Sequence, residues 1–168
     1  MRGKLVDGRM VWLSIGLVAG LCLAYVWPHE AAYAVTADRD SQFAMATVGV
    51  NLIDPIDGVF VLDFLTGSLR GAVLNRQRGI FTMFYYRNLA QDFKVDPQAD
   101  PHYAFVTGAA QMAGQGGVTF SSGVIYVGEL SSGKIACYAF PWRETQTPSP
   151  VIPLVPMDVF QFREPSEK

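Results

Sequence analysis

The longest uninterrupted apolar stretch of the chain is residues 10–27, MVWLSIGLVAGLCLAYVW, which contains no charged side chain. As an α-helix rising 1.5 Å per residue it would be about 27 Å long, close to the roughly 30 Å thickness of a bilayer's hydrocarbon core. Trp12 and Trp27 stand where interfacial anchors belong, and Pro28 ends the helix. Arg2, Lys4 and Arg9 precede the run against Asp7 alone. The positive-inside rule therefore predicts an N-terminus in the cytoplasm and export of everything after it. Ala32-Tyr33-Ala34 has the form of a signal-peptidase site. The segment is either a retained single-pass transmembrane anchor or a signal peptide cleaved after Ala34. Cys22 is not a lipoprotein cysteine, because the large Leu21 precedes it and it lies in the middle of the run.

Beyond residue 34 the apolar positions recur with period two or run continuously, which predicts strands. Seven are expected, over residues 43–50, 59–63, 69–74, 80–85, 103–107, 124–129 and 135–140, rich in Val, Ile, Phe and Tyr and separated by Gly, Pro, Asn and Asp. One short helix is predicted after Tyr86, where Asn88-Leu89-Ala90-Gln91 has the form of a capping box and Asp96-Pro97 supplies a stop. From Arg143 onward, Pro148, Pro150, Pro153, Pro156 and Pro165 exclude a helix and predict extended, polyproline-like chain. The apolar residues Val151, Ile152, Leu154, Val155, Val159, Phe160 and Phe162 within this tail require it to lie in part on the domain or on a partner.

Residues 59–74, VFVLDFLTGSLRGAVL, and 125–140, IYVGELSSGKIACYAF, align without gaps as strand, turn, strand. Val61 meets Val127, Asp63 meets Glu129, Thr66 meets Ser132 and Gly67 meets Gly133. A hairpin loop of three to five residues commonly closes on a residue in the left-handed region, which glycine adopts without steric cost. The acidic residue and the hydroxyl three places later are expected to hydrogen-bond across the mouth of each turn. This is a folding role that needs no ligand.

The strand followed by D-x-x-T-G and a second strand resembles a blade hairpin of quinoprotein-like and WD-type β-propellers. The likeness covers some sixteen residues, twice. A whole propeller needs several blades at a period near 40 residues, so no propeller and none of its ligand residues are implied. A longer resemblance is to a group of short membrane-anchored proteins of planctomycetes. It rests on Ala37-Asp38-Arg39 with Phe43-Ala44, the stretch 59–67 (VFVLDFLTG), the strand 103–108 ending in V-T-G, the stretch 125–134, and Pro141-Trp142. Ile125 and Gly128 depart from its last strand motif. The resemblance implies an exported, anchored topology and carries no mechanism.

Composition narrows the chemistry. A net charge of −2 and a pI near 5.6 leave no basic stripe for nucleic acid. Two cysteines and two histidines are too few for a disulfide scaffold or a structural zinc site. Cys137 is then a lone thiol, buried as a small hydrophobe or paired between chains. His102, with Asp100 two residues before it, is the one candidate for acid–base or metal chemistry, but Asp100-Pro101-His102-Tyr103 is read in preference as a proline turn opening a strand. Cys137 and His102 form a second, remoter nucleophile pair. Asp92, Asp96 and Asp100 lack the alternating oxygen ligands of a calcium loop. Residues 121–123 (SSG) are no nucleophile elbow, and the glycines of residues 109–117 do not lie between a strand and a helix as a phosphate loop requires. Phe81, Phe84, Tyr85 and Tyr86 place aromatic rings on both faces of one strand. One face enters the core and the other needs the tail, another chain or a ligand against it.

The sequence thus predicts a mainly β (α+β) exported domain, an antiparallel sheet built on two related β-hairpins with one short helix behind an N-terminal transmembrane or signal helix. The segments are 1–34 (basic tip and anchor or signal), 35–142 (β domain) and 143–168 (tail). The expected role is structural or interactive, in contact with the membrane and with another envelope protein or itself, without a catalytic, metal or cofactor site. The alternative is a small hydrolase or ligand-binding domain using His102 and nearby carboxylates.

Overall fold

The computed structural model describes residues 8–26, 37–95, 101–114 and 117–163. The chain divides into two compact units, Met1–Ala34 and Val35–Lys168. The first contains helix α1 (Gly8–Val26), uncharged from Met10 onward. Every described side chain of α1, from Met10 to Cys22, is exposed, Trp12 at 75% and Leu17 at 68%. Among the described residues no helix is long and apolar enough to cross a membrane. The expected run continues to Trp27, and it and the cleavage motif at Ala32–Ala34 lie outside the described residues.

The second unit is mainly β, its strands falling into two sheets. Sheet A has the order β1 (Ala37–Arg39), β2 (Phe43–Asn51), β3 (Ile56–Asp63), β4 (Ser68–Asn75), β5 (Ile80–Asn88) and β9 (Val151–Pro153). It is antiparallel except for β9, which runs parallel to β5. Sheet B has the order β10 (Val155–Gln161), β8 (Lys134–Ala139), β7 (Gly123–Glu129) and β6 (Tyr103–Ala109), antiparallel throughout. The seven expected strands are present, with ends shifted by a few residues. The proline-rich tail is strand at both ends of its apolar stretch: Val151–Pro153 extends sheet A and Val155–Gln161 extends sheet B. Prolines are tolerated because both are edge strands.

The inner faces of the sheets form one core. Phe60 of β3, Tyr85 of β5 and Phe140 just after β8 cluster with ring centroids 4.9 to 5.8 Å apart. The sheets meet along one side where β1 stops pairing with β2. There Thr107 Oγ1 donates to the Thr47 carbonyl (2.8 Å) and the Ser122 amide to the Val50 carbonyl (3.0 Å). Gly123 permits that approach, since a Cβ there would lie 2.4 Å from the Gly49 carbonyl oxygen. On the other side Leu154, 1% exposed, carries the chain from β9 to β10.

The sequence repeat is a repeat of structure, wider than the hairpins that revealed it. Asp63 pairs with Ser68 as Glu129 pairs with Lys134. The flanking strands follow: Phe43 stands opposite Asp63 as Tyr103 stands opposite Glu129, and Asn88 opposite Ser68 as Gln161 opposite Lys134. Two four-stranded meanders therefore face each other. Gly67 and Gly133 have φ of 63° and 66°. Asp63 accepts from the amides of Leu65 and Thr66 and from the Thr66 hydroxyl. Glu129 accepts from both the amide and hydroxyl of Ser131 and from the amide of Ser132. Helix α2 (Leu89–Phe93) begins at Asn88, whose side chain accepts from the Gln91 amide. It ends earlier than expected, at Lys94 in the left-handed region, whose amide bonds the carbonyls of Ala90 and Gln91. The expected stop at Asp96-Pro97 lies outside the described residues.

Candidate functional site

The polar candidates separate when folded. His102 is exposed and its carbonyl accepts from the Leu130 amide, a connection that seats the start of β6 on the second turn. Asp100 and Asp96 lie outside the described residues. Asp92 belongs to a structural network: Arg87 grips it through Nε and Nη2 (both 2.6 Å), and Tyr138 Oη donates to it at 2.8 Å. The Arg87 pKa is raised, chiefly by this hydrogen bond, while burial pushes the Tyr138 phenol up. Arg87 also reaches the Leu154 carbonyl, so one carboxylate ties β5, α2, β8 and the tail together. Ser121 is buried and spends its hydroxyl on the Gly123 carbonyl. Cys137 is half-buried on the outer face of sheet B between Tyr126 and Asp158. Burial pushes its thiol pKa up and Asp158 adds to the shift, which makes it a poor nucleophile at neutral pH. Among the described residues no group of three His, Cys, Asp or Glu side chains could hold a metal ion.

The outer face of sheet A is organised instead as apolar rows. The strand registers align Met45, Val61, Arg70, Tyr86 and Pro153 in one row, and Thr47, Val59, Ala72, Phe84 and Val151 in the next. Met45 is 40% exposed, Tyr86 36% and Val151 63%; Val59, Val61, Ala72 and Phe84 are half-buried. Beyond the first row the register places Phe43, Asp63, Ser68 and Asn88, and beyond the second lie Gly49 with Asp57 and the exposed pair Leu74 and Phe81, so polar and apolar positions mix at both ends. Arg70 in the first row lies over the Tyr86 ring at 5.7 Å, and Asp38 of β1 stands opposite Met45 at the other edge of that row. An open, shallow groove lies between Arg70, Gly71, the aromatic residues 84–86 and Val151.

The aromatic residues on β5 pointed to this surface, but its extent was missed. Tyr85 enters the core, whereas Phe84 and Tyr86 face outward, and the tail adds Val151 beside Phe84 at the edge without covering the face. The available signal was the unbroken V-F-V-L of β3, since a strand apolar at consecutive positions has two apolar faces.

These features define a class: a duplicated β meander whose two sheets share a core, with structural carboxylates and an apolar outer sheet face. No family model, curated protein or solved structure matches the chain.

Proposed function

We propose that the protein is a small exported domain, tethered to the membrane by its N-terminal apolar segment, that works as a structural or interaction component through its outer sheet face. The observation that carries this reading is the pair of largely apolar rows on the outer face of sheet A, exposed at Met45, Tyr86 and Val151. The tether is supported by the uncharged run 10–27 with its basic flank and by the all-round exposure of the apolar side chains of α1. A helix apolar on every side requires a protein interior or a membrane around it.

A C-terminal reporter that functions only outside the cytoplasm should be active and remain with membranes after an alkaline carbonate wash. Release of a soluble product beginning at Val35 would show that the segment acts as a cleaved signal. His102→Ala should support function as well as the natural chain; loss of function in a folded His102→Ala protein would favour the hydrolase or ligand-binding reading.

A further inference from the structure

Resting on the reading of the outer face of sheet A as the interaction surface, we infer that its partner is a second copy of the chain, the two sheets stacked face to face about a two-fold axis. The face has the size for it. The exposed Phe43 at one end and the exposed pair Leu74 and Phe81 at the other extend the two central rows to four. Four rows about 7 Å apart on five strands about 4.8 Å apart cover about 700 Å². A stable protein interface buries about 600–1,000 Å² on each partner.

The two halves of the face differ, and each fits the other. In three successive rows β5 carries Tyr86, Phe84 and Phe81, while β2 carries Met45, Thr47 and Gly49. A two-fold axis along the strands, midway between β3 and β4, keeps each row on itself and sets β2 of one copy over β5 of the other, as in the aligned packing of two sheets. Every ring then meets a smaller residue. Tyr86 lies over Met45, Phe84 over Thr47, and Phe81 over Gly49, where nothing stands within 4 Å of a Cβ position and the space is open. The charges accept the same arrangement, because Asp63 falls over Ser68 and Asp57 over Leu74, so no carboxylate opposes another. Arg70 leans across the Tyr86 ring toward the side on which Asp38 of the other copy stands beyond Met45. The axis also preserves strand direction, which puts Ala37 at the start of β1 at the same end of both copies. Two chains tethered in one bilayer require that, and an axis across the strands would place the two starts at opposite ends.

The test uses the full chain in density-matched detergent, followed by analytical ultracentrifugation. The natural chain should sediment as a dimer. Tyr86→Glu/Val151→Glu should raise the dissociation constant of that dimer about a hundredfold or more. Circular dichroism melting checks that this variant folds, and Val106→Glu/Phe160→Glu on sheet B should remain dimeric. Chains carrying Cys22→Ala/Cys137→Ala report the axis: a short bismaleimide, able to span the roughly 10 Å between stacked sheets, should join Met45→Cys chains to Tyr86→Cys chains in a mixture and join neither to itself. A monomeric natural chain, a dimer that survives Tyr86→Glu/Val151→Glu, or joining of Met45→Cys chains to one another would each overturn the inference. If the natural chain is monomeric but the folded Tyr86→Glu/Val151→Glu variant fails to complement a gene deletion, the second copy is overturned and the face keeps its interaction role. Full complementation by that variant would overturn the face as the working surface, whatever the state of association.

Discussion

Glu129 is fully buried, yet it is held ionised by the turn it closes. Burial pushes its pKa up, but the hydroxyls and amides of Ser131 and Ser132 outweigh burial and hold the carboxyl below its ordinary value. At the equivalent Asp63 desolvation again pushes the pKa up, but the Thr66 hydroxyl, the amides of Leu65 and Thr66 and the charge of Arg70 together outweigh it and lower the value. Because both folded-state values lie below the unfolded ones, the stabilisation is complete above about pH 4.5 and is lost as pH falls through the depressed values. Glu129→Gln keeps the shape but replaces one acceptor oxygen with an NH₂ donor facing a donor. It should cost about 1–3 kcal/mol at pH 7, and urea unfolding should show a smaller loss of stability between pH 5 and pH 3 than in the natural chain. An unchanged acid profile would place the sensitivity elsewhere.

Among the elements, those whose cause lies within a few residues were legible in the sequence. The alternating strands, the left-handed glycines at 67 and 133, the acid-to-hydroxyl bonds across both turns and the Asn88 cap all follow from local spacing. The three-residue β1 was not legible, since pairing with residues 44–46 of β2 alone defines it. Nor were β9 and β10, because their prolines erase the pattern and their strand character comes from the edges they meet. Leu154 between them shows how much depends on that meeting. It is buried, its amide donates to the Tyr86 carbonyl (3.1 Å), and its carbonyl accepts from Arg87. Leu154→Ala should therefore behave as a core truncation, costing about 2–5 kcal/mol. Val159→Ala, at a side chain 51% exposed in the same tail, should change stability by no more than about 0.5 kcal/mol. Equal effects in chemical denaturation would show that the tail contributes as a peripheral strap and that Leu154 is no part of the core.

At the scale of the molecule, two copies of a meander do not make two domains. Each sheet has an inner face that only the other can cover, as Phe60, Tyr85 and Phe140 demonstrate, and the second half returns β9 to the sheet of the first. The repeat in sequence suggested related hairpins but could not say whether they would share one sheet or face each other. That choice depends on contacts such as Gly123 against Gly49, far apart in the chain. A break between α2 and β6 tests the consequence. Residues 35–98 alone would carry five strands with an uncovered apolar face, and residues 99–168 would lack the sheet that receives β9. Expressed separately, the fragments should show no fixed aromatic environment in near-ultraviolet circular dichroism. Mixed, they should regain it in equal proportion, with the midpoint of thermal melting rising as concentration rises, because association and folding are then one process. Independent folding of either half would mean that the shared core is an interface between finished domains, and the two meanders would then be units of stability as well as of sequence.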